Sequence, residues 1–149
     1  MNSTFAANEA EEYFHAQIPI TRAMGVRVVA RNEDQFVVEA PVAQNSNHLR
    51  TGFGGSINAV ATLAGYGFLW SALRDKPSHV VIAESSIRFF RPVRQMIRAI
   101  CLRPDAEEWN AFRSRFAKDG QASIQLKVSV VEEDKKSAEF NGTFVARAG

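Results

Sequence analysis

Asn47, His48, Thr51, Gly52, Gly54 and Gly55 lie within nine residues of one another, at the mouth of an uncharged segment that runs to Leu73. A Gly-Gly pair at a helix start lets a ligand approach the backbone closely. It also leaves unpaired N–H groups at the positive end of the helix dipole. Such a place suits an anion or a developing oxyanion. The same glycines serve equally well as a tight turn and a close helix contact, since short glycine patterns are weak motifs.

Chemistry at such a mouth also needs a group that handles protons. His48 is the histidine of this stretch, and Glu84 stands in the apolar run Ile82-Ala-Glu-Ser-Ser86. Thr62 follows Gly54 by eight residues, near two helical turns, and shares its face. Thr51 and Phe53 at the helix entrance and Ser85 beside Glu84 are candidates to line a substrate. Arg88 and Arg91, with Arg94, suit phosphate oxygens. Each has a plainer reading. His48 sits in a solvated loop, Thr62 bonds its own helix at i−4, and Glu84 pairs with an arginine. Asn45 and Asn47 make local turn bonds, and the arginines are solvated at a strand end.

The elements that position these residues follow from periodicity. A helical lead-in over residues 1–24 is interrupted at Pro19, which pushes Ile18 out of helical geometry. Val26, Val28 and Ala30 alternate as a strand, and a second runs from Gln35 to Val42. The central helix spans about residues 54–74, before Pro77. Val80–Phe90 is a third strand, with Val81, Ala83, Ser85, Ile87 and Phe89 expected on one face; Met96–Leu102 is a fourth. Asp105 caps a short helix with Glu107 and Glu108 in its first turn, an apolar stripe of Trp109, Phe112 and Phe116, and Gly120 as its stop. Two strands from Ala122 and from Ala138 form an antiparallel hairpin around Glu133–Lys136. Five to six antiparallel strands around one long helix make an α+β arrangement, the hotdog fold.

The 149 residues read as one domain, 1–149, large enough to bury its own core. The net charge of +2 and scattered Lys and Arg give no nucleic-acid partner. Cys101 is the only cysteine, so no intrachain disulfide forms, consistent with a reducing cytoplasm. Met1–Glu12 is polar and acidic and does not read as a secretory signal. Thr51–Leu73 has the length of a membrane span, roughly 20 residues. Its small and polar residues, with amphipathic strands following, instead assign it to a protein core.

The motif Asn47-His-x-x-Thr51-x-Phe53-Gly54-Gly55-Ser56, the small-residue helix after it, and Ile87-Arg-Phe-Phe-Arg-Pro92-Val93 resemble hotdog-fold acyl-CoA thioesterases. The match is to the family typified by the C-terminal domain of YiiD, and it runs from about Ile18 to Ala146. The resemblance implies hydrolysis of an acyl thioester on coenzyme A or an acyl carrier. It implies no metal and no cofactor beyond the coenzyme A of the substrate. It also implies a homodimer or dimer of dimers with the groove lined by both chains. In the similar phenylacetyl-CoA-type enzymes a His-Gly-Gly opens the helix. A glycine amide there polarises the carbonyl, an Asn six residues earlier assists, and an Asp nine residues later acts as base or nucleophile. By that spacing the Asn is Asn47 and the oxyanion glycine Gly54. The His position holds Phe53 and the carboxylate position Thr62, a poor base. Gly54, Gly55, Asn47, Thr62, Glu84 and His48 are therefore the expected catalytic set, with Glu84 preferred as base because a strand holds a side chain rigidly.

Two other functions share these features. A non-catalytic acyl-ligand module needs the groove and no base. A hydratase or dehydratase usually needs a placed His with an acidic partner, and Phe53 stands where the motif His would be.

Overall fold

The computed structural model describes residues 3–149. Residues 1 and 2 of the expected lead-in lie outside that range. The lead-in forms α1, Ser3–Gln17, and one turn, α2, Ile20–Ala23, with Pro19 at the break. A proline there has no N–H to lose to the helix, so the chain reorients where its hydrogen bonding is weakest.

Six strands follow: β1 Arg27–Arg31, β2 Gln35–Pro41, β3 Ser78–Phe89, β4 Met96–Leu102, β5 Gln121–Glu132 and β6 Lys135–Ala148. They form one antiparallel sheet in the order β1-β2-β4-β5-β6-β3. The central helix α3, Gly54–Ala72, is 19 residues long and packs against the sheet. α4, Ala106–Asp119, closes one end of the sheet–helix core, with Asp105 Oδ1 accepting from Glu108 N at 2.9 Å and Gly120 in the left-handed region at its C-cap. The arrangement is the α+β hotdog fold expected from the order of elements.

The uncharged segment reads as core because the sheet wraps it. Phe144 and Leu126 meet α3 on one side, and an added Cβ at Gly65 would lie 2.7 Å from the Phe144 ring. The small residue is what lets the sheet close on the helix. No helix among the described residues is long and apolar enough to cross a membrane. α1 lies along β1, where Glu11 accepts from Val28 N at 2.9 Å. Arg31 bridges to Glu9 at 2.8 Å and Tyr13 stacks on Trp70 at 4.6 Å. The sheet edge at β1 is thereby covered.

The edge at β3 is different. Val81 is 60% exposed and Phe89 52%. The strand also departs from simple alternation. Ile82 pairs with Phe144, but Glu84 pairs with Thr143, so Ala83 is an extra residue. A bulge of this kind switches which side chains face the core. The expected common face of Val81 through Phe89 is thus split. Val81 is on the outer side, whereas Ser85, Ile87 and Phe89 pair with the core-facing Gly142, Phe140 and Ala138.

Candidate functional site

The loop that delivers the chain to α3 is held by its own side chains. Buried Asn45 donates from Nδ2 to the carbonyls of Met24 and Pro41, both at 2.8 Å, and its own carbonyl accepts from Phe53 N at 2.7 Å. Asn47 Oδ1 accepts from Leu49 N at 2.9 Å and Thr51 N at 3.1 Å, while its Nδ2 donates to Thr51 Oγ1 at 3.0 Å. Arg50, at φ 60°, completes this turn. Gly52 N donates to Val93 O at 2.7 Å, tying the loop to the segment after β3.

Phe53 then takes the N-cap position in extended geometry, and its side chain makes no capping bond. Ser, Thr, Asp or Asn usually stands there and satisfies a free donor. Here the first helical bond is from Ile57 N to Phe53 O at 2.9 Å. The amides of Gly54, Gly55 and Ser56 therefore have no acceptor among the described residues. Two half-exposed rings flank them. A Cβ at Gly54 would lie 3.4 Å from the Phe89 ring, and one at Gly55 2.5 Å from the Phe53 ring. The result is a set of preorganised N–H donors between apolar walls, the arrangement that stabilises a developing oxyanion.

Further along α3 lies an apolar cavity of about 260 Å³, bounded by Ile18, Ala59, Thr62, Tyr66, Ile82 and Phe144 among others. Burial, and then the hydrogen bond with Tyr13, push the Tyr66 phenol well above its ordinary range. It is a neutral wall. Thr62 Oγ1 donates to Asn58 O at 2.8 Å, the i−4 bond weighed from sequence. Its proton is therefore committed, and it faces the cavity with lone pairs only.

The other expected residues do not gather here. The bulge at Ala83 puts Glu84 beside Thr143 on the outer face of the sheet, away from α3 of its own chain. That sets Glu84, preferred as base for the rigidity of its strand, on the side of the sheet opposite Ser85, Ile87 and Phe89, away from the free amides of its own chain. His48 is exposed in the turn and has no hydrogen-bond partner among the described residues. Ser85 faces the helix side. Arg88 is opposite Glu139 on the outer face, its guanidinium 5.7 Å from the Phe90 ring centroid. Arg91 is exposed at the strand end, and neither arginine forms an ion pair among the described residues.

Two contributors were not singled out from sequence. Glu132 accepts from the N–H groups of Arg94, Gln95 and Met96 at 2.9, 2.9 and 3.1 Å. Burial acts to raise its pKa, but these backbone donors and the Arg94 charge outweigh it and hold the carboxyl below its usual range. Gln95 O in turn accepts from Val42 N, so Glu132 braces the loops that carry Gly52. The second is Asn58, whose Oδ1 is buried with no hydrogen-bond partner among the described residues and whose carbonyl accepts the Thr62 hydroxyl. Among the described residues no group of three His, Cys, Asp or Glu side chains gathers to hold a metal ion.

Comparison with known proteins agrees with this fold. Residues 7–148 match the family model described as "Putative thioesterase (yiiD_Cterm)". A protein of unknown function from Chlorobaculum tepidum superposes with a TM-score of 0.87 at 28% identity, over 97% of this chain and 95% of that one. A structure from Shewanella oneidensis described as a putative thioesterase gives 0.84 at 27%, over 95% and 96%. A Pseudomonas aeruginosa protein described as a probable thioesterase shares the fold, with 0.82 at 22% over 95% of each chain.

Proposed function

The chain belongs to the family described as putative thioesterase (yiiD_Cterm), and from that premise we propose that it hydrolyses an acyl thioester at the N-terminus of α3. The observation that carries this reading is the trio of uncapped amides at Gly54, Gly55 and Ser56, with aromatic rings on either side and an apolar cavity along the same helix. The thioester carbonyl oxygen sits on these amides, the acyl chain runs into the cavity, and the thiol carrier leads outward past Phe53 and Phe89. Coenzyme A is the carrier we favour, as part of the substrate, with Arg88 and Arg91 meeting its phosphates. We place turnover in the cytoplasm, consistent with a chain whose single cysteine, Cys101, is buried and forms no disulfide.

The working form is a homodimer, or a dimer of dimers built from it. Thr62 lies eight residues beyond Gly54, about 12 Å along the axis at the helical rise. One chain does not bring that hydroxyl to a carbonyl held by its own glycine amides. The uncovered β3 edge, with Val81, Phe89 and Phe90 exposed, is a template for strand pairing. Pairing there places a second copy against the groove, which both chains then line.

A second reading has a specific observation in its favour. Glu84 is on the outer face, His48 is in the solvated turn and the Thr62 proton is committed, so no base of the chain itself stands beside the free amides. A protein that holds acyl thioesters without cleaving them fits those facts. Thiol release from a panel of acyl-CoAs, followed against buffer alone, separates the two. Release above the buffer rate from any of them supports hydrolysis, whereas saturable binding without release supports the binding module.

A further inference from the structure

We propose that two copies of the chain pair β3 against β3 in one register, centred on Ser86, in which Glu84 of each meets Arg88 of the other. The inference rests on the two-chain form of the reading above and adds to it a register and a charged contact. Past the bulge at Ala83, Glu84, Ser86 and Arg88 follow one another on the outer side of the sheet, across from Thr143, Asn141 and Glu139 of β6. All three are exposed, and neither charge forms an ion pair among the described residues. Glu139, the carboxylate across from Arg88, is held by Lys127 at 3.6 Å and Lys136 at 3.7 Å. Glu84 and Arg88 cannot satisfy each other within one chain, because four residues of strand separate them by about 13 Å.

Two identical antiparallel strands have their two-fold on a residue, so that opposed side chains share a face, and moving the centre changes every opposition. With the centre on Ser86, Glu84 lies directly across from the partner's Arg88, and Arg88 from the partner's Glu84, with Cβ atoms about 5 Å apart. A centre on Glu84 sets the two glutamates against each other, and one on Arg88 does the same to the arginines. Like charges directly opposite destabilise a strand pair. A centre on Ser85 or Ile87 leaves one charge facing Ser86, and neither meets its opposite. Charge complementarity thus selects the Ser86 register. On the helix side, Ser85 and Phe89 are exposed as well, and Phe89 is the ring beside Gly54. In this register Phe89 falls across from the partner's bulge at Ala83, so the second copy packs the wall of the amide mouth. Arg88 has five donors in a planar fork, and a carboxylate on one side leaves N–H groups for a phosphate.

Charge reversals in the full chain test the register, read as the dimer dissociation constant by sedimentation equilibrium at low salt. Glu84→Arg and Arg88→Glu each turn both attractive oppositions into repulsive ones, and each is expected to weaken the dimer at least about tenfold. The double variant Glu84→Arg/Arg88→Glu restores both pairs with their signs exchanged and is expected to return to within about threefold of the wild type. An equimolar mixture of the two single variants is expected to form a heterodimer tighter than either variant alone. Single reversals that leave the dimer unchanged overturn the proposal. So does a weakening that neither the double variant nor the mixture repairs. Both results leave the two-chain reading standing, because the wild type is still a dimer. A wild type that is monomeric in the same experiment removes the register and the two-chain reading together.

Discussion

Gly54 and Gly55 differ in what a methyl group would meet, and that difference gives a test of the amide site. At Gly54 the added carbon makes ordinary contact with the Phe89 ring at 3.4 Å; at Gly55 it drives into the Phe53 ring at 2.5 Å. The Phe53 ring is 55% exposed and has room to swing, so the collision disturbs the mouth more than the fold. Alanine in a helix interior is also more favourable than glycine by about 0.5–1 kcal/mol. Gly55→Ala should therefore hold or raise Tm while lowering kcat/KM, and Gly54→Ala should change kcat/KM less; a loss of stability larger in Gly55→Ala than in Gly54→Ala contradicts this. At this scale the sequence marked the glycines as a helix start but left a tight turn and an amide site equally open. It was misleading about the face of β3: alternation of Val81, Ala83, Ser85, Ile87 and Phe89 looked unbroken, and a bulge leaves no mark in residue type, yet Val81 lies on the opposite side from Ser85, Ile87 and Phe89. It was silent on the unpaired Asn58 Oδ1, which no motif marks.

Among the elements, the loop that enters α3 is braced from outside by one carboxylate. Glu132 at the end of β5 holds the backbone of Arg94–Met96, and that segment holds Val42, while Val93 holds Gly52. Glu132→Ala removes the acceptor for three N–H groups and should cost on the order of 1–3 kcal/mol. In a chain of this size that is a fall in Tm of a few degrees. Because the folded carboxyl ionises at lower pH than an unfolded one, its contribution is complete above the ordinary value of about 4.3. It disappears as pH falls through the folded value. The wild type should thus lose more stability than Glu132→Ala between pH 6 and pH 3 in urea unfolding, and parallel losses would remove Glu132 from that role. The strands and helices themselves were legible, since the alternation in β5, the Asp105 cap and the Gly120 stop are local signals. The brace was not, since it joins residues 36 to 38 positions apart. In the proposed reading Arg88, in β3, and Arg91, just after it, meet the phosphates of coenzyme A. Replacing both by Ala should raise KM for acyl-CoA roughly fivefold, as for about 1 kcal/mol at an exposed charged contact. KM for an acyl thioester of a short amide thiol lacking the nucleotide should not move. An equal rise for both substrates would place the arginines away from the phosphates.

At the scale of the molecule, one edge of the sheet is sheathed by α1 and the other is bare. The bare strand β3 carries Val81 at 60% and Phe89 at 52% exposure, and its side away from β6 pairs with no strand among the described residues. An edge of that kind either aggregates or is paired. Light scattering at micromolar concentration should give at least twice the 16.5 kDa of one chain, and a stable monomer would contradict a groove lined by two copies. The fold was readable because the order of elements and a helix apolar all round leave few alternatives. The expected homodimer rests on the family resemblance, for nothing in the composition marks an edge as bare. The central claim is that the uncapped amides of α3 carry out thioester hydrolysis, and steady-state thiol release by the wild type and by Gly54→Val tests it most directly. The account predicts release above the buffer rate from at least one acyl-CoA by the wild type. It predicts a fall of roughly 10²-fold in Gly54→Val, whose backbone N–H remains but whose branched side chain crowds the Phe89 ring and bars the carbonyl from the amide, with Tm and mass preserved. Release by Gly54→Val at the wild-type rate would contradict it.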